Sequence, residues 1–283
     1  MRTLTIDVED YYSLVVRDVL GLEIAISSHV DNELRRLLDL LDELQVLATC
    51  FVVGKLARER PDLVREIRAR DHDVASHGYE HIRLNEMSPK RFEEDLHLSI
   101  EVLQDVTGEA ITGHRAAAFS LGPEQSWAFN IMRVKGIKYD SSVRMVLPFE
   151  REAAERLCKR ALDCGIEEHP SFALGWRFFR VPLAGGGGLR LLPSVLTKLG
   201  SKIVESSGYP RPLTYLHPYD LRRERYEGGW PIRGCRDYAR LMWFNKRQWL
   251  GRSRVESRLR ALVRNSKVAG TSGSMECVGW PTP

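Results

Sequence analysis

Two histidines separated by three residues are the first candidates for chemistry. His77 and His81 stand in the segment Ser76-His77-Gly78-Tyr79-Glu80-His81. On one helical turn, side chains four residues apart lie on the same face, with Cβ atoms about 5–6 Å apart, so the two imidazoles could chelate one divalent metal. The alternative is a pair of unrelated surface histidines. We expect the pair where the strand Asp73 to Ser76 runs into a loop or a helix turn, and a distant segment has to supply the third ligand.

Three carboxylates in four positions follow the first predicted strand. The stretch Thr3 to Tyr12 alternates as a strand does and then presents Asp7, Glu9 and Asp10. Because strand side chains alternate in direction, Asp7 and Glu9 would share one face. A catalytic site of this kind takes two histidines and one carboxylate, so the pair gives one ligand and one spare base. The alternative, a strand end with solvated acids, is disfavoured because the acids would repel one another without a cation.

Alternating elements must position these groups. Leucines at helical spacing predict a helix from Asp31, and the apolar run Leu47 to Val53 predicts a strand buried on both faces. Residues 13–28 are expected to be irregular. Further helices are predicted at Pro61–Arg70, Ser88–Thr107, Pro123–Lys135 and Val195–Ser207, and further strands at Asp73–Ser76, Ile111–Arg115, Ile137–Asp140, Trp176–Pro182 and Leu213–Asp220. This alternation predicts a parallel sheet that closes, or nearly closes, into a barrel over residues 1–221.

The composition is that of a globular chain with ample core material. Of 283 residues, 43% are hydrophobic and 28% charged. No window reaches the roughly 18 apolar residues of a membrane span. Met1-Arg2-Thr3 leads directly into a predicted strand and not into the apolar segment of a signal peptide, so we expect a cytoplasmic protein. The five cysteines are odd in number and include no Cys-x-x-Cys pair, which argues against a disulfide framework or a cysteine zinc site.

The C-terminal part differs in charge. Residues 222–267 carry fourteen Lys and Arg against four carboxylates, and we predict a basic helical extension packed on the barrel. Each cation near an anionic membrane could contribute on the order of 1 kcal/mol, so the extension could hold the protein at the inner face of a membrane. The alternative is a basic helix that only covers the barrel. No recognisable nucleic-acid-binding module accompanies the charge, and residues 268–283 are predicted to be disordered.

Five blocks together resemble the polysaccharide deacetylase superfamily, which is carbohydrate esterase family four with its nodulation-deacetylase homology domain. In family order they are Thr5 to Tyr12, Ala48 to Gly54, Ser76 to His81, Gly113 to Leu121 and Leu216 to Leu221. The Asp-Val-Glu-Asp-Tyr start is most similar to the branch found with bacterial exopolysaccharide and surface-glycan genes. The resemblance implies a distorted (β/α) barrel of about seven parallel strands with one divalent metal, zinc above all, at one mouth.

The resemblance also implies roles near the metal. Asp7 matches the general base that activates the attacking water, and His77 and His81 match the metal-binding histidines. The family's third ligand is usually the aspartate directly after the base, where this chain has Val8. Glu9 is our predicted substitute, with Asp10 as the alternative.

Two further blocks carry roles by the same resemblance. Arg115 matches the arginine that orients the catalytic aspartate, and Ala117 replaces a common proline, which predicts a less rigid loop. Phe119 matches an aromatic residue whose neighbouring backbone helps the oxyanion. His217 matches the histidine that protonates the leaving amine, and Leu216 matches a residue that lines the pocket for the acetyl methyl group.

The implied reaction is metal-dependent removal of an N-acetyl group from an amino sugar of a bacterial surface polysaccharide or of its lipid- or nucleotide-linked precursor. Amide hydrolysis at neutral pH needs a nucleophilic water, a stabilised oxyanion and an acid for the departing nitrogen, which a metal, Asp7 and His217 can supply. Two alternatives stay open. One is hydrolysis of another non-peptide C–N bond on the same scaffold, and the other is a catalytically silent glycan-binding homologue, which the replacements at Val8 and Ala117 would favour.

Overall fold

The computed structural model describes residues 3–265 except 177–178, 184, 194, 197–198, 201, 203, 205–212, 225 and 227–228. The tail 268–283, predicted to be disordered, lies outside the described residues, as does much of the helix predicted at 195–207. Within the described part of the chain, no helix is both long enough and apolar enough to cross a membrane.

A seven-stranded parallel sheet forms the centre of the molecule. In spatial order its strands are β10 (Leu213–Leu216), β1 (Thr3–Val8), β2 (Thr49–Val52), β3 (Asp73–Ser76), β4 (Gly113–His114), β5 (Tyr139–Asp140) and β7 (Glu167–Glu168). Phe51, Tyr139 and Tyr215 come from strands far apart in this order yet belong to one buried cluster, so the sheet curls around its inner face. The predicted distorted barrel of about seven parallel strands is confirmed.

Helices and a small second sheet surround the barrel. The helices are α1 (Tyr11–Leu20), α2 (His29–Leu44), α3 (Gly54–Glu59), α4 (Pro61–Ala69), α5 (Pro89–Thr107), α6 (Ala128–Val134), α7 (Arg151–Asp163), α8 (Gly186–Leu191), α9 (Cys235–Trp249) and α10 (Val255–Asn265). The second sheet contains β6 (Arg144–Leu147), β8 (Ser171–Trp176) and β9 (Phe179–Pro182). The single strand predicted at Trp176–Pro182 is wrong, because β8 ends and the antiparallel β9 begins within that range.

Helix α5 follows its sequence signals closely. The hydroxyl of Ser88 accepts a hydrogen bond from the backbone N–H of Arg91, which caps the first turn. Gly108 ends the helix with φ at 71°, a conformation that glycine adopts without steric cost. The predicted helix is therefore confirmed at both ends.

Helix α1 contradicts the expectation that residues 13–28 are irregular. Asp10 caps it by accepting from the backbone N–H of Tyr12 (3.3 Å) and of Ser13 (3.1 Å). Its valines and Tyr11 are buried. The expectation was wrong because aromatic and β-branched residues have low helix propensity, whereas burial of this face outweighs that preference.

The C-terminal extension packs on α1 through a second hydrophobic cluster. The main core lies between the sheet and its helices, whereas this second cluster joins Tyr11 and Val16 of α1 to Tyr219, Tyr226 and Leu241. The boundary predicted at residue 221 thus falls beside residues that share one core, and it stays a prediction.

A buried carboxyl group links α2 to the extension. Glu33 is 5% exposed, and its Oε1 accepts from Tyr226 Oη (2.6 Å) and Arg222 Nη1 (3.1 Å). Its Oε2 has no hydrogen-bond partner among the described residues. Burial raises the pKa of Glu33 from 4.5 to about 7, although the two donors act in the opposite direction.

This shift predicts a stability that depends on pH. Because the folded protein holds the Glu33 proton more tightly than the unfolded chain, the contribution of Glu33 is most favourable below about pH 4.5 and is lost as the pH rises through about 7. The full effect is about 3 kcal/mol. Between pH 5 and pH 8 we expect the free energy of unfolding to fall more in the wild type than in Glu33→Gln, which cannot ionise. Urea denaturation at each pH measures this.

The matched control is Glu43→Gln, on the same helix but 61% exposed. Glu43 is ionised in both folded and unfolded chains over this pH range, since the hydrogen bond from Arg260 lowers its pKa. The control should therefore keep the wild-type slope. An identical slope in Glu33→Gln and the wild type would contradict the prediction.

Candidate metal centre and active site

Three side chains that could hold a metal converge at the carboxyl ends of β1 and β3. Donor atoms of Glu9, His77 and His81 all lie within 4.8 Å of one another. Glu9 Oε2 lies 2.8 Å from His81 Nε2 and 3.9 Å from His77 Nε2. One carboxylate and two imidazoles form the donor set of a catalytic zinc ion with positions left open. The residues present therefore fit a single divalent metal.

A loop, and not a helical turn, brings the two histidines together. Gly78 and His81 have φ of 73° and 55°, in the left-handed region. Asp95 of α5 accepts from the backbone N–H of Tyr79 (2.8 Å), and Arg17 of α1 donates to the carbonyl oxygen of His81 (3.1 Å). The imidazole centroids lie 4.9 Å apart. Helices α1 and α5 thus fix the loop from both sides.

The protonation states of the cluster suit a cation. His77 Nδ1 lies 2.8 Å from the carbonyl oxygen of Arg115, so Nδ1 donates and Nε2 is free to bind metal. Burial lowers the pKa of His77 to about 4, which favours the neutral ring. Burial would raise the pKa of Glu9, but the nearby imidazoles of His81 and His217 lower it.

Asp10, the alternative carboxylate ligand, is engaged elsewhere. Both of its oxygens accept hydrogen bonds at the start of α1, and they also accept from the backbone N–H (2.9 Å) and the hydroxyl (2.7 Å) of Ser27. Asp10 is absent from the cluster of candidate ligands, which contains Glu9. The geometry therefore favours Glu9 over Asp10.

Asp7, the predicted base, is held by Arg115. Arg115 Nη1 donates to Asp7 Oδ1 at 2.5 Å. The guanidinium is fully buried, and its Cζ lies 4.0 Å from the ring centroid of Phe51 and 5.0 Å from that of Phe119. Aromatic faces stabilise a buried guanidinium, so Arg115 can fix the Asp7 carboxylate without access to water.

Sequence reasoning did not single out the residues at the end of β5, of which Ser141 supports Arg115 directly. Ser141 accepts from Arg115 Nε through its carbonyl (3.2 Å) and from Nη2 through its hydroxyl (2.9 Å). Asp140 Oδ1 lies 2.7 Å from His114 Nδ1 and accepts from Ser142 Oγ (2.7 Å). The sequence signal was a run of one aspartate and two serines at a predicted strand end.

His217, the predicted acid, completes the site from β10. Its Nε2 lies 3.9 Å from Asp7 Oδ2 and 3.6 Å from Glu9 Oε1, so Asp7 and Glu9 do share one face. Its Nδ1 lies 3.0 Å from Asp220 Oδ2. Burial would lower the pKa of His217, but the hydrogen bond with Asp220 and the two carboxylates raise it to about 9.

Two residues just after His217 were also missed. Tyr219 Oη donates to Glu9 Oε1 (2.9 Å), and its ring stacks on His217 with centroids 4.7 Å apart. Asp220 holds the other side of the imidazole. The available signal was the sequence His-Pro-Tyr-Asp at a strand end, where the aspartate is three residues from the histidine and can return to it.

The loop after β4 has an unusual backbone. Ala118 and Phe119 have φ of 56° and 52°, which is uncommon for residues other than glycine, and such strain concentrates at functional sites. The carbonyl oxygen of Ala118 accepts from Arg144 Nη2 (3.0 Å).

Two cavities are lined by residues of this loop. One, of about 620 Å³, is lined by His81, and the other, of about 630 Å³, by Phe119; both are lined by Arg83 and Ala118. Cavities of this size accommodate a ligand of one or more sugar units. Leu216 has no exposed surface and lies in the main core, so its contact with an acetyl group stays a prediction.

Comparison with known proteins matches two family models to different parts of the chain. A family model described as polysaccharide deacetylase matches residues 28–127, and one described as a domain of unknown function, DUF3473, matches residues 148–273. The peptidoglycan deacetylase of Helicobacter pylori is 34% identical over 109 residues, which are 38% of this chain and 36% of that protein. The chitooligosaccharide deacetylase of Sinorhizobium fredii is 32% identical over 84 residues, 30% of this chain and 39% of that protein. The chain thus spans less than two-fifths of the length of these relatives.

The fold has a counterpart among solved structures. The crystal structure of a candidate polysaccharide deacetylase from Mycobacterium smegmatis superimposes with a TM-score of 0.56 and 18% identity, covering 98% of this chain and 95% of that one. At this identity the likeness concerns the fold alone.

Proposed function

We propose that the chain, as a member of the polysaccharide deacetylase superfamily, is a metal-dependent hydrolase that removes an N-acetyl group from an amino sugar. The observation that carries the proposal is the convergence of a Glu9–His77–His81 cluster with a carboxylate held by arginine and a histidine held by aspartate. Each half of amide hydrolysis, attack by water and departure of the amine, then has a group within reach.

Asp7 acts as the base in this proposal. Its Oδ1 is occupied by Arg115, which leaves Oδ2 to take a proton from the attacking water. When bound to Glu9, His77 and His81, a divalent ion, for which we propose zinc, would acidify that water and polarise the acetyl carbonyl. Arg115 keeps the carboxylate in place throughout because its own hydrogen bonds to Ser141 are satisfied.

His217 acts as the acid. Its Nε2 faces the carboxylates of Asp7 and Glu9, and Asp220 accepts from Nδ1, which fixes the ring and favours the protonated form. The imidazolium can then give its Nε2 proton to the departing nitrogen. The neutral ring that remains keeps its Nδ1 proton on the hydrogen bond to Asp220.

For the substrate we propose a surface polysaccharide or its lipid- or nucleotide-linked precursor. The Asp7 to Tyr11 signature resembles that of the glycan-associated branch. In addition, three arginines line the cavity beside His81 against two carboxylates, Asp18 and Glu86; the arginines are Arg17, Arg83 and Arg91. Arginines suit the phosphate of a linked precursor. We also propose that the reaction takes place in the cytoplasm. The buried cysteines are free thiols, which is typical of proteins in a reducing compartment.

The proposal predicts acetate release that depends on metal. We expect the protein to release acetate from N-acetylglucosamine oligomers, to lose that activity on chelation, and to recover it when zinc is restored. His77→Ala should contain little metal and release acetate at least a hundredfold more slowly, because it removes a ligand directly. Metal content and acetate are measured on the same samples.

His97→Ala is the matched control. His97 lies on the exposed side of α5, outside the cluster, so this variant should keep both metal and activity. Acetate release that persists in His77→Ala, or after complete removal of metal, would contradict the proposal.

A further inference from the structure

Helix α9 exposes apolar side chains on a face where a surface helix of a globular protein usually has polar side chains. Tyr238, Met242 and Trp243 are 53%, 42% and 62% exposed, and Leu250, just after the helix, is 64% exposed. We call the α9 patch the exposed residues Arg236, Tyr238, Arg240, Met242, Trp243, Lys246 and Leu250. An exposed apolar surface of this kind marks an interaction site when it is contiguous.

The patch is distinct from the face that α9 uses for folding. Leu241 is 1% exposed and belongs to the second hydrophobic cluster. Asn245, four residues later and so on the same side of the helix, accepts from the hydroxyl of Tyr11 (2.7 Å). The helix therefore already has its buried side against α1, and the apolar residues of the patch are additional.

Helix α8 also exposes apolar side chains at its end. Arg190 Nη1 donates to the carbonyl oxygen of Gln248, so the end of α8 lies against the end of α9. Leu191, which ends α8, is 48% exposed, and Val195 shortly after it is 71% exposed. Exposed apolar side chains thus occur on both of these neighbouring segments.

The charge around the patch has one sign. Arg236, Arg240 and Lys246 are exposed, and the sole carboxylate within α9, Asp237, lies 3.6 Å from Arg233 Nε, so that its charge is offset locally. A helix with exposed aromatic and aliphatic residues beside cations matches the features of helices that lie in the headgroup region of anionic membranes.

We propose that the α9 patch docks the protein on an anionic lipid bilayer. Tyr238, Met242, Trp243 and Leu250 enter the headgroup region, and the three cations contact lipid phosphates. A second copy of the chain fits less well, because a two-fold axis would bring the same cations face to face. A soluble polyanion would pair with the cations but would leave Met242 and Leu250 in water.

Sedimentation of the full chain with vesicles tests the proposal. We expect binding to vesicles that contain phosphatidylglycerol and at least tenfold weaker binding to pure phosphatidylcholine. Binding to the anionic vesicles should weaken between 0.1 M and 1 M salt, as the screening length falls from about 10 Å to about 3 Å.

Two paired substitutions separate the apolar contribution from the charges. Met242→Ser with Leu250→Ser, and separately Arg236→Glu with Arg240→Glu, should each weaken binding at least tenfold. The matched controls make the same kinds of change at exposed positions elsewhere: Val134→Ser with Leu162→Ser, and Lys159→Glu with Arg160→Glu. The controls should bind vesicles as the wild type does, and thermal melting checks that all four variants are folded.

Several outcomes would overturn the proposal. One is equal binding to neutral and anionic vesicles, and another is an equal loss of binding in the control variants. Dimers in sedimentation velocity that Met242→Ser with Leu250→Ser abolishes, without vesicle binding by the wild type, would assign the patch to a second copy. Binding to dextran sulfate in place of vesicles would assign it to a soluble polyanion. None of these results depends on whether the protein releases acetate.

Discussion

Asp7→Asn is expected to keep its metal and to lose nearly all turnover. The amide has the shape of the carboxylate, and its oxygen can accept from Arg115 Nη1 as Asp7 Oδ1 does. Its nitrogen, however, cannot take a proton from water. Since a positioned general base contributes roughly 10²–10⁴-fold to a rate, we expect acetate release to fall by about that factor.

Metal content distinguishes a role for Asp7 as the base from a role as a metal ligand. Asp7 lies outside the cluster of Glu9, His77 and His81, so Asp7→Asn should contain as much metal as the wild type. The control Asp39→Asn changes a carboxylate that is 69% exposed and should leave both metal and turnover unchanged. A variant without metal would make Asp7 a ligand, and a variant with wild-type turnover would remove it from the chemistry.

Glu9→Ala and Asp10→Ala are expected to fail in different ways. Glu9 Oε2 points at both histidines. Loss of a group that merely supports a ligand typically costs 10–100-fold in metal affinity, so loss of this carboxylate should cost about 100-fold or more. Asp10 is a helix cap, so its replacement should lower the free energy of unfolding by about 1–2 kcal/mol and leave metal affinity within a few-fold of the wild type.

Competition with a chromophoric chelator and urea denaturation measure the two properties. Each variant serves as the control for the other, because the substitutions are adjacent and each removes one carboxylate. If Asp10→Ala empties the site while Glu9→Ala retains metal, the assignment of the carboxylate ligand is wrong.

Much of the barrel followed from the sequence because its signals are local. Strand β3 and helix α5 were predicted at their observed positions, since apolar periodicity, a serine cap and a glycine stop all lie within the segments themselves. The histidine pair and Asp7 were singled out from residue types and spacing near strand ends, and the family resemblance added Arg115 and His217 to the predicted site.

The supporting contacts could not be read in the same way. Tyr219 and Glu9 are 210 positions apart. No local sequence pattern near either residue predicts the contact between them. Asp10 was interpreted as a possible ligand because three acids stood together, whereas its neighbours fold into α1 and use it as a cap. A role that depends on contact with a strand far away in the sequence can be assigned only once the order of strands in the sheet is known.

Tyr219 has a consequence for how the protein unfolds. Its hydroxyl holds Glu9, while its ring belongs to the same cluster as Tyr11 and Tyr226, and the Arg252 guanidinium lies 5.2 Å from the centroid of that ring. Tyr219 therefore connects the carboxylate of the candidate metal cluster to the C-terminal helices, and we expect the two regions to open together. A local opening that frees the extension would also release Tyr219 from its neighbours and so loosen the hold on Glu9.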